Sequence, residues 1–351
     1  MSKQVKITQE IILKQCLGID VSKDKLDVCF SKMLANQVVK IQGTHSFSNT
    51  PAGWKALSTW VKRFYKTVEI PLGVVVEATG VYHEGAAYYL KNAGFSVSIV
   101  LPNKSKYFAK SLNVKSKNDQ VDAQVLARMG LERNLAVWKG ASETMLTLKR
   151  LSREREALLA QKTVVGNQLH AHLHQYNPNA QTTKRRKQLI AFLAKQVKIV
   201  EKQMLTVLET DLELKAKVEN VCTIKGIRIL TAITIIAETN GFDLIENKNQ
   251  LVSYAGYDVV ERQSGTSLLG KTRISKKGNS HIRKALFFPA MSAAMHDPKM
   301  KNLYERIEEK NPKVKMIGAV AVQRKLLVLV YTIYKTDEPF DSNYAGKKAA
   351  A

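Results

Sequence analysis

The sequence contains little cysteine. Three cysteines occur among 351 residues, and they form neither a Cys-x-x-Cys pair nor an even-numbered set. A disulfide framework and a zinc site are therefore not expected. Cys16, Cys29 and Cys222 instead fit core positions of a protein in a reducing cytoplasm.

Features of secreted and membrane proteins are also missing. Residues 1–14 mix Lys, Gln, Thr and Glu with apolar residues, unlike a secretory leader. Residues 316–334 are nearly apolar but are interrupted by Gln323, Arg324 and Lys325. Because charges at the centre of a membrane span are costly, we predict a buried core helix there and no membrane partner. We therefore expect a cytoplasmic protein.

Acidic residues are scarce relative to basic ones. The chain has 30 Asp and Glu against 55 Lys and Arg, a net charge of +25. This excess indicates a polyanionic partner, most often nucleic acid, with an anionic membrane surface as the weaker alternative. A hydrophobic content of 45% excludes a disordered tail, and the length allows two or three domains with a sizeable core.

The first third of the chain has the pattern of an α/β domain. Strand-like runs occupy residues 16–21, 26–30 and 38–47, and the second of these alternates in polarity. A helix with Thr50 as its cap follows, then an apolar strand at 73–77, a helix and another strand at 95–100. This order predicts a mixed sheet covered by helices.

Four acids stand out in this basic chain. Asp20 and Glu77 end two apolar strands, where ligands gather in open α/β sheets. Asp119 and Asp122, within residues 117–123, are three residues apart at the start of a predicted helix and share one face. Each acid alone is more often a turn or helix-cap residue. Four together fit Mg²⁺ or Mn²⁺, which prefer oxygen ligands.

The middle of the chain predicts a long helical hairpin. Apolar residues recur at helical spacing from 148 to 176 and from 189 to 208, and Asn177-Pro178-Asn179 separates the two runs. Arg155 and Lys162 interrupt the seam, which leaves open whether the hairpin pairs within one chain or between chains. A basic cluster opens the second helix and is either a phosphate contact or a solvated helix start: Lys184, Arg185 and Arg186.

The last third is predicted to be helical and basic. Residues 221–233 resemble a helix-hairpin-helix element in which Lys225 and Arg228 replace the usual proline and second glycine. A dense set of cations beyond it is expected to bind phosphate: Lys271, Arg273, Lys276, Lys277 and Arg283. Ser264 precedes Gly265 in a loop, where serine is ordinarily a turn residue.

Three blocks carry a family resemblance. Residues 18–23, 77–82 and 118–123 are similar to the DEDD blocks of the "one-ten" family of insertion-sequence transposases, relatives of the Piv and MooV DNA invertases. Residues 254–256, 263–267 and 273–279 resemble its second domain. The resemblance implies a ribonuclease-H-like, RuvC-type domain at 1–138, a helical coiled-coil middle at 139–215, a helical domain at 216–342 and a tail at 343–351. It implies the fold class α/β plus all-α.

The resemblance also implies a mechanism. Metal held by Asp20, Glu77, Asp119 and Asp122 would act with Ser264 as nucleophile on a DNA phosphate, with Ser267 as the alternative nucleophile. A dimer or tetramer in a bacterial or archaeal cytoplasm would join donor and target DNA under the guidance of a structured bridge RNA. Two other functions remain open: a metal-dependent Holliday-junction resolvase or nuclease without a covalent serine, and a non-catalytic architectural nucleic-acid binder.

Overall fold

The computed structural model describes residues 11–78, 80–113, 118–243, 245–260, 263–264, 268–269 and 273–341. For residues 263–264 and 268–269 it describes the backbone alone. The chain forms two compact units, Met1–Gly140 (unit 1) and Ala141–Ala351 (unit 2). The finer boundaries expected at residues 138, 215 and 342 stay predictions.

Unit 1 is built on a mixed five-stranded sheet. Its strands are β1 (Ile12–Val21), β2 (Lys25–Leu34), β3 (Val39–Ser48), β4 (Leu72–Glu77) and β5 (Ser96–Val100). Their order is β3-β2-β1-β4-β5. The first three strands are antiparallel neighbours, whereas β4 runs parallel to β1 and β5 runs parallel to β4. The predicted α/β domain is confirmed.

Helices cover both faces of this sheet. On one face, α1 (Pro51–Phe64) and α2 (Tyr82–Asn92) pack against Leu17, Ile19 and Val74. On the other face lie α3 (Pro102–Ser111) and α4 (Asp119–Glu132), packed against Cys16 and Val75. As a result β2 is buried from Leu26 to Ser31, so its alternation in sequence does not mark a solvent face.

Unit 2 begins with the predicted hairpin. Helices α5 (Glu143–Leu173) and α6 (Ala180–Glu209) pack along each other within one chain. Arg155, which interrupts the apolar seam, places its Nε 2.7 Å from Glu201 on the opposite helix. The polar interruption is thus satisfied across the hairpin.

Seven further helices and two short ladders complete the described part of unit 2. The helices are α7 (Leu212–Cys222), α8 (Ile229–Glu238), α9 (Lys248–Tyr254), α10 (Ser280–Ala285), α11 (Phe287–His296), α12 (Pro298–Lys310) and α13 (Met316–Thr336). The ladders join β6 (Val259–Val260) to β9 (Arg273–Ile274) and β7 (Gln263–Ser264) to β8 (Leu268–Leu269). In the order of the chain, the β7–β8 pair lies between β6 and β9.

Helix α13 is long and apolar enough to cross a membrane by composition alone. In the fold it is a core helix: Leu326 and Val330 are fully buried among the other helices of unit 2. Gln323 is also buried, and it accepts a 2.8 Å hydrogen bond from the hydroxyl of Tyr257. Arg324 lies on the exposed side. The predicted core helix is confirmed.

The cysteines are free. Cys16 and Cys29 are buried in the sheet and Cys222 is half-buried, as expected for core packing. Burial raises the pKa of all three thiols, so they are poor nucleophiles at neutral pH.

Candidate active site

Two of the predicted acids end neighbouring parallel strands. In the ladder between β1 and β4, Ile19 is opposite Val76. The next residues along the two strands are Asp20 and Glu77. Since parallel strands present their carboxyl ends at one edge of the sheet, these two acids lie side by side where a ligand can approach.

The other two acids are brought to this edge by a close helix–strand contact. An ideal Cβ on Gly18 would lie 2.2 Å from the carbonyl oxygen of Ala123, so only glycine lets the backbone of α4 rest on β1. Asn118 caps this helix by accepting a 2.8 Å hydrogen bond from the amide of Val121. Asp119 and Asp122 therefore occupy its first turn, close to the end of β1.

The other three acids lie close enough to Asp20 to shift its pKa. Burial and the negative charges of Asp122, Glu77 and Asp119, in that order of importance, together raise the pKa of Asp20 from 3.8 to about 6. A 3.0 Å hydrogen bond from the amide of Val21 opposes the shift. The edge of the sheet thus holds an excess of negative charge.

A fifth acid, which sequence reasoning missed, adjoins this group. Asp27 of β2 is the Cα partner of Asp20 and is buried, and the hydroxyl of Ser46 donates to its carboxylate. The ammonium of Lys25 lies 2.9 Å from Asp27 and 3.6 Å from Asp119. The hydrogen bond with Asp27 is the main cause that raises the pKa of Lys25. Lys25 therefore lies between the buried Asp27 and Asp119, one of the four acids predicted to bind metal.

Two polar side chains hold the loops of the site. The hydroxyl of Ser105 on α3 donates to Oε2 of Glu77 at 2.5 Å. Asn49 donates from Nδ2 to the carbonyls of Ser22 and Tyr82, both at 3.0 Å. These contacts fix Glu77 and join the segment after β1 to the start of α2. The two partners in each contact are more than 25 residues apart in the sequence, so no local sequence pattern predicts these contacts.

The donor set suits a hard divalent cation. The four acids offer only carboxylate oxygens, which Mg²⁺ and Mn²⁺ prefer, and their mutual repulsion favours a bound cation. Within the described parts of the chain, however, no three His, Cys, Asp or Glu side chains are close enough to hold one metal ion as they stand. The acids would have to turn inward around the ion.

Ser264 belongs to unit 2. Its backbone is in β7 and is paired with that of Leu268 in β8. The alternative nucleophile, Ser267, lies outside the described residues, as does Lys271.

The predicted phosphate-binding cations differ in their surroundings. Two serve backbone contacts: Arg283 donates to the carbonyls of Ala255 at 2.7 Å and Lys276 at 3.3 Å, and Arg186 donates to the carbonyl of Gln168 at 2.6 Å. The remaining described cations of the set have exposed side chains on α6, on the loop between α7 and α8, and beside β9: Lys184, Arg185, Lys225, Arg273, Lys276 and Lys277.

An ion pair with a buried carboxylate, also missed from the sequence, joins α5 to α8. The carboxylate of Glu238 is fully buried and receives hydrogen bonds from Arg153 at 2.7 and 3.0 Å. Asn279, the cap of α10, donates to the same carboxylate at 2.7 Å. Burial raises the pKa of Glu238, but these hydrogen bonds outweigh it and the net pKa is lowered.

The fold and site together define a class. A sheet of order β3-β2-β1-β4-β5, with helices on both faces and acids at the ends of its two central parallel strands, is a ribonuclease-H-like domain of the RuvC type. Residues 17–178 match the family model for DEDD transposases of IS110 elements, and residues 218–305 match "Transposase IS116/IS110/IS902 family". The chain belongs to the IS110 family of transposases.

Individual relatives agree with this family. The chain is 27% identical over 332 residues to the pilin gene-inverting protein of Moraxella bovis, covering 93% of this chain and 98% of the relative. It is 24% identical over 312 residues to the transposase for insertion sequence element IS1111A of Coxiella burnetii, covering 80% and 78%. Among solved structures, Thermus thermophilus RuvC with a Holliday-junction substrate is 14% identical, covers 33% of this chain and 90% of its own, and has a TM-score of 0.25.

Proposed function

We propose that this chain cuts and rejoins DNA for a mobile element. In this proposal Asp20, Glu77, Asp119 and Asp122 hold Mg²⁺ or Mn²⁺, and Ser264 forms a transient ester with a DNA phosphate. The observation that carries the proposal is the gathering of the four acids at one edge of the sheet, where their charges act on one another. Membership of a transposase family and similarity to a gene-inverting protein support it.

Hydrogen bonds and a neighbouring cation position the acids for this role. Ser105 holds the Glu77 carboxylate, and the backbone amide of Val21 orients that of Asp20. Lys25 lies against Asp119 and limits the repulsion among the acids. A bound divalent cation would polarise the phosphate and stabilise charge on its oxygens.

The serine step conserves the energy of the broken bond. A bond forms between the Ser264 hydroxyl oxygen and phosphorus while the bond from phosphorus to a sugar oxygen breaks, and the hydroxyl proton is balanced by protonation of the leaving sugar oxygen. Attack by a sugar hydroxyl of another strand reverses the step, joins the strands and restores the serine. No nucleotide cofactor is consumed.

The proposal extends to partners. Donor and target DNA would contact the exposed cations of unit 2, supported by the net charge of +25. The same charge would accommodate a structured bridge RNA that pairs with both DNAs. The family resemblance favours a dimer or tetramer that works in the bacterial or archaeal cytoplasm.

The test is strand exchange in purified components. The protein, RNA that co-purifies with it, Mg²⁺ and plasmids bearing donor and target sites are combined, and joined products and covalent protein–DNA adducts are measured. We expect wild type and Ser267→Ala to give both, and Ser264→Ala and Glu77→Gln to give neither. Cleavage by Ser264→Ala would instead indicate a nuclease or junction resolvase. Full activity of Glu77→Gln would remove the metal site from the account.

A further inference from the structure

Helix α3 presents an unneutralised basic face beside the acids. Residues 85–118 contain no Asp or Glu, and their basic residues are Lys91, Lys104, Lys106, Lys110, Lys115 and Lys117. Three of these lysines lie on α3 with exposed side chains, and none of the three forms an ion pair with another described residue. In a folded protein, unpaired cations of this density favour a polyanion.

An exposed aromatic side chain lies within this face. Tyr107 is 66% exposed, although tyrosine usually buries much of its ring. On a helix, residues three apart are neighbours, so Lys104 and Lys110 flank Tyr107 one turn to either side. A ring between cations is the arrangement by which proteins bind a nucleic-acid strand: the ring stacks on a base and the cations contact its phosphates.

Two contacts fix this face relative to the acids. On its buried side, α3 places the hydroxyl of Ser105 against Glu77. Phe108 packs with Val125 and Met129 of α4, the helix that carries Asp119 and Asp122. The basic face is therefore attached to β4 and α4, two of the three elements that carry the acids, and it borders the site where a phosphate would be cut.

We propose that α3 binds single-stranded DNA next to the phosphate that is cut at the acids, with Tyr107 stacked on a base and Lys104, Lys106 and Lys110 on the backbone. This inference rests on the proposed function, because that function makes the strand at the acids DNA. It assigns to unit 1 a binding surface separate from the cations of unit 2.

The test measures binding without chemistry. A fluorescein-labelled single-stranded DNA is titrated with the full-length protein in EDTA at several salt concentrations. We expect Tyr107→Ala to weaken binding about five-fold or more and Tyr107→Phe to bind like wild type. Replacing Lys104, Lys106 and Lys110 by Gln should lower the slope of log affinity against log salt by about two.

Matched changes on the other face of the sheet provide the control. Replacing Lys55, Lys62 and Lys66 on and just after α1 by Gln removes the same charge from unit 1, and the slope should change by less than about 0.7, the value of one contact. Equal losses in the two triple variants would overturn the proposal, because binding would then follow net charge. It would also be overturned if the α3 variants lost affinity for an RNA of the same sequence while keeping their affinity for DNA.

A second measurement locates the strand directly. DNA substituted with 5-iodouracil is crosslinked to the protein by light, and the crosslinked peptide is sequenced; we expect Tyr107. Crosslinks confined to unit 2 would contradict the proposal. If the α3 variants bind normally while Glu77→Gln abolishes strand exchange, the α3 surface alone is wrong. If Glu77→Gln retains strand exchange, the proposed function is wrong.

Discussion

Removing the charge of Asp20 should stabilise the metal-free protein. The pKa of Asp20 is raised from 3.8 to about 6 by burial and by the three neighbouring acids, so its ionised form is disfavoured in the folded state. A shift of about two pH units corresponds to about 3 kcal/mol. Because Asp20 is only half-buried, solvent screening reduces the expected gain of Asp20→Asn to about 1–2 kcal/mol.

The sign of the effect depends on pH. Below a pH of about 4, Asp20 is protonated in both the folded and unfolded states and its replacement changes little. As the pH rises from about 4 to about 6, the unfolded chain releases this proton while the folded protein retains it, so wild type loses stability and the variant does not. The full difference is present above a pH of about 7.

Thermal unfolding in EDTA measures this difference. At a pH of about 8, Asp20→Asn should raise the midpoint of the unit 1 transition by roughly 3–6 °C, and at a pH of about 4 it should not. Asp24→Asn is the matched control, because Asp24 is exposed in the same turn. Equal midpoints for the two variants at the higher pH would refute the electrostatic reasoning. Added Mg²⁺ should stabilise wild type and not Asp20→Asn.

Three further substitutions test other parts of the account. Gly18→Ala places a Cβ 2.2 Å from the Ala123 carbonyl oxygen and should lower the free energy of unfolding by about 3 kcal/mol, measured by chemical denaturation. Gly73→Ala, whose Cβ would have its nearest neighbour at 3.8 Å, should lower it much less. Equal losses in the two variants would contradict the close contact. Arg153→Met leaves the buried Glu238 carboxylate without this cation and should lower the free energy of unfolding of unit 2 by about 3 kcal/mol. Arg128→Met, in the exposed pair with Glu132, should lower the free energy of unfolding by only about 0.5 kcal/mol. Because the pKa of Glu238 is lowered, the stabilisation it provides should be lost as the pH falls through that pKa, and a pH-independent difference would argue against the pair. Ser105→Ala should slow strand cleavage about ten-fold with DNA affinity unchanged. Ser111→Ala is the control, because the Ser111 hydroxyl donates to the Phe108 carbonyl of the same helix, and it should leave the rate unchanged. An unchanged rate in Ser105→Ala would remove Ser105 from the site.

The sequence predicted the acids because local patterns carry them. Asp20 and Glu77 follow apolar runs long enough to be central strands, and parallel strands end at one edge of a sheet. Asp119 and Asp122 have helical spacing behind a capping Asn118. Each of these signals lies within about ten residues of chain.

Asp27 was not predicted from the sequence, although the register of β1 and β2 pairs it with Asp20. The short turn at residues 22–24 pairs Asp20 with Asp27, so counting outward from that turn would have placed the two acids opposite each other. The alternation of β2 in sequence does not reveal that the strand is buried on both faces. Its burial depends on α4, which covers the sheet from a distant part of the chain.

The long-range polar contacts had no local signal. Ser105 reaches Glu77 across 28 residues, and Arg153 reaches Glu238 across 85. Arg153 and Glu238 each fall within a helix where a charged residue is usually solvated. Only the packing of α5 on α8 shows that the carboxylate is buried and needs the cation.

In the proposed function, four carboxylates from two strands and one helix hold a divalent metal. Crystals soaked in Mn²⁺ and measured at the manganese absorption edge test it directly. We expect an anomalous peak bounded by Asp20, Glu77, Asp119 and Asp122, and its loss in Asp119→Asn crystals. A peak at another site, or its survival in that variant, would contradict the account.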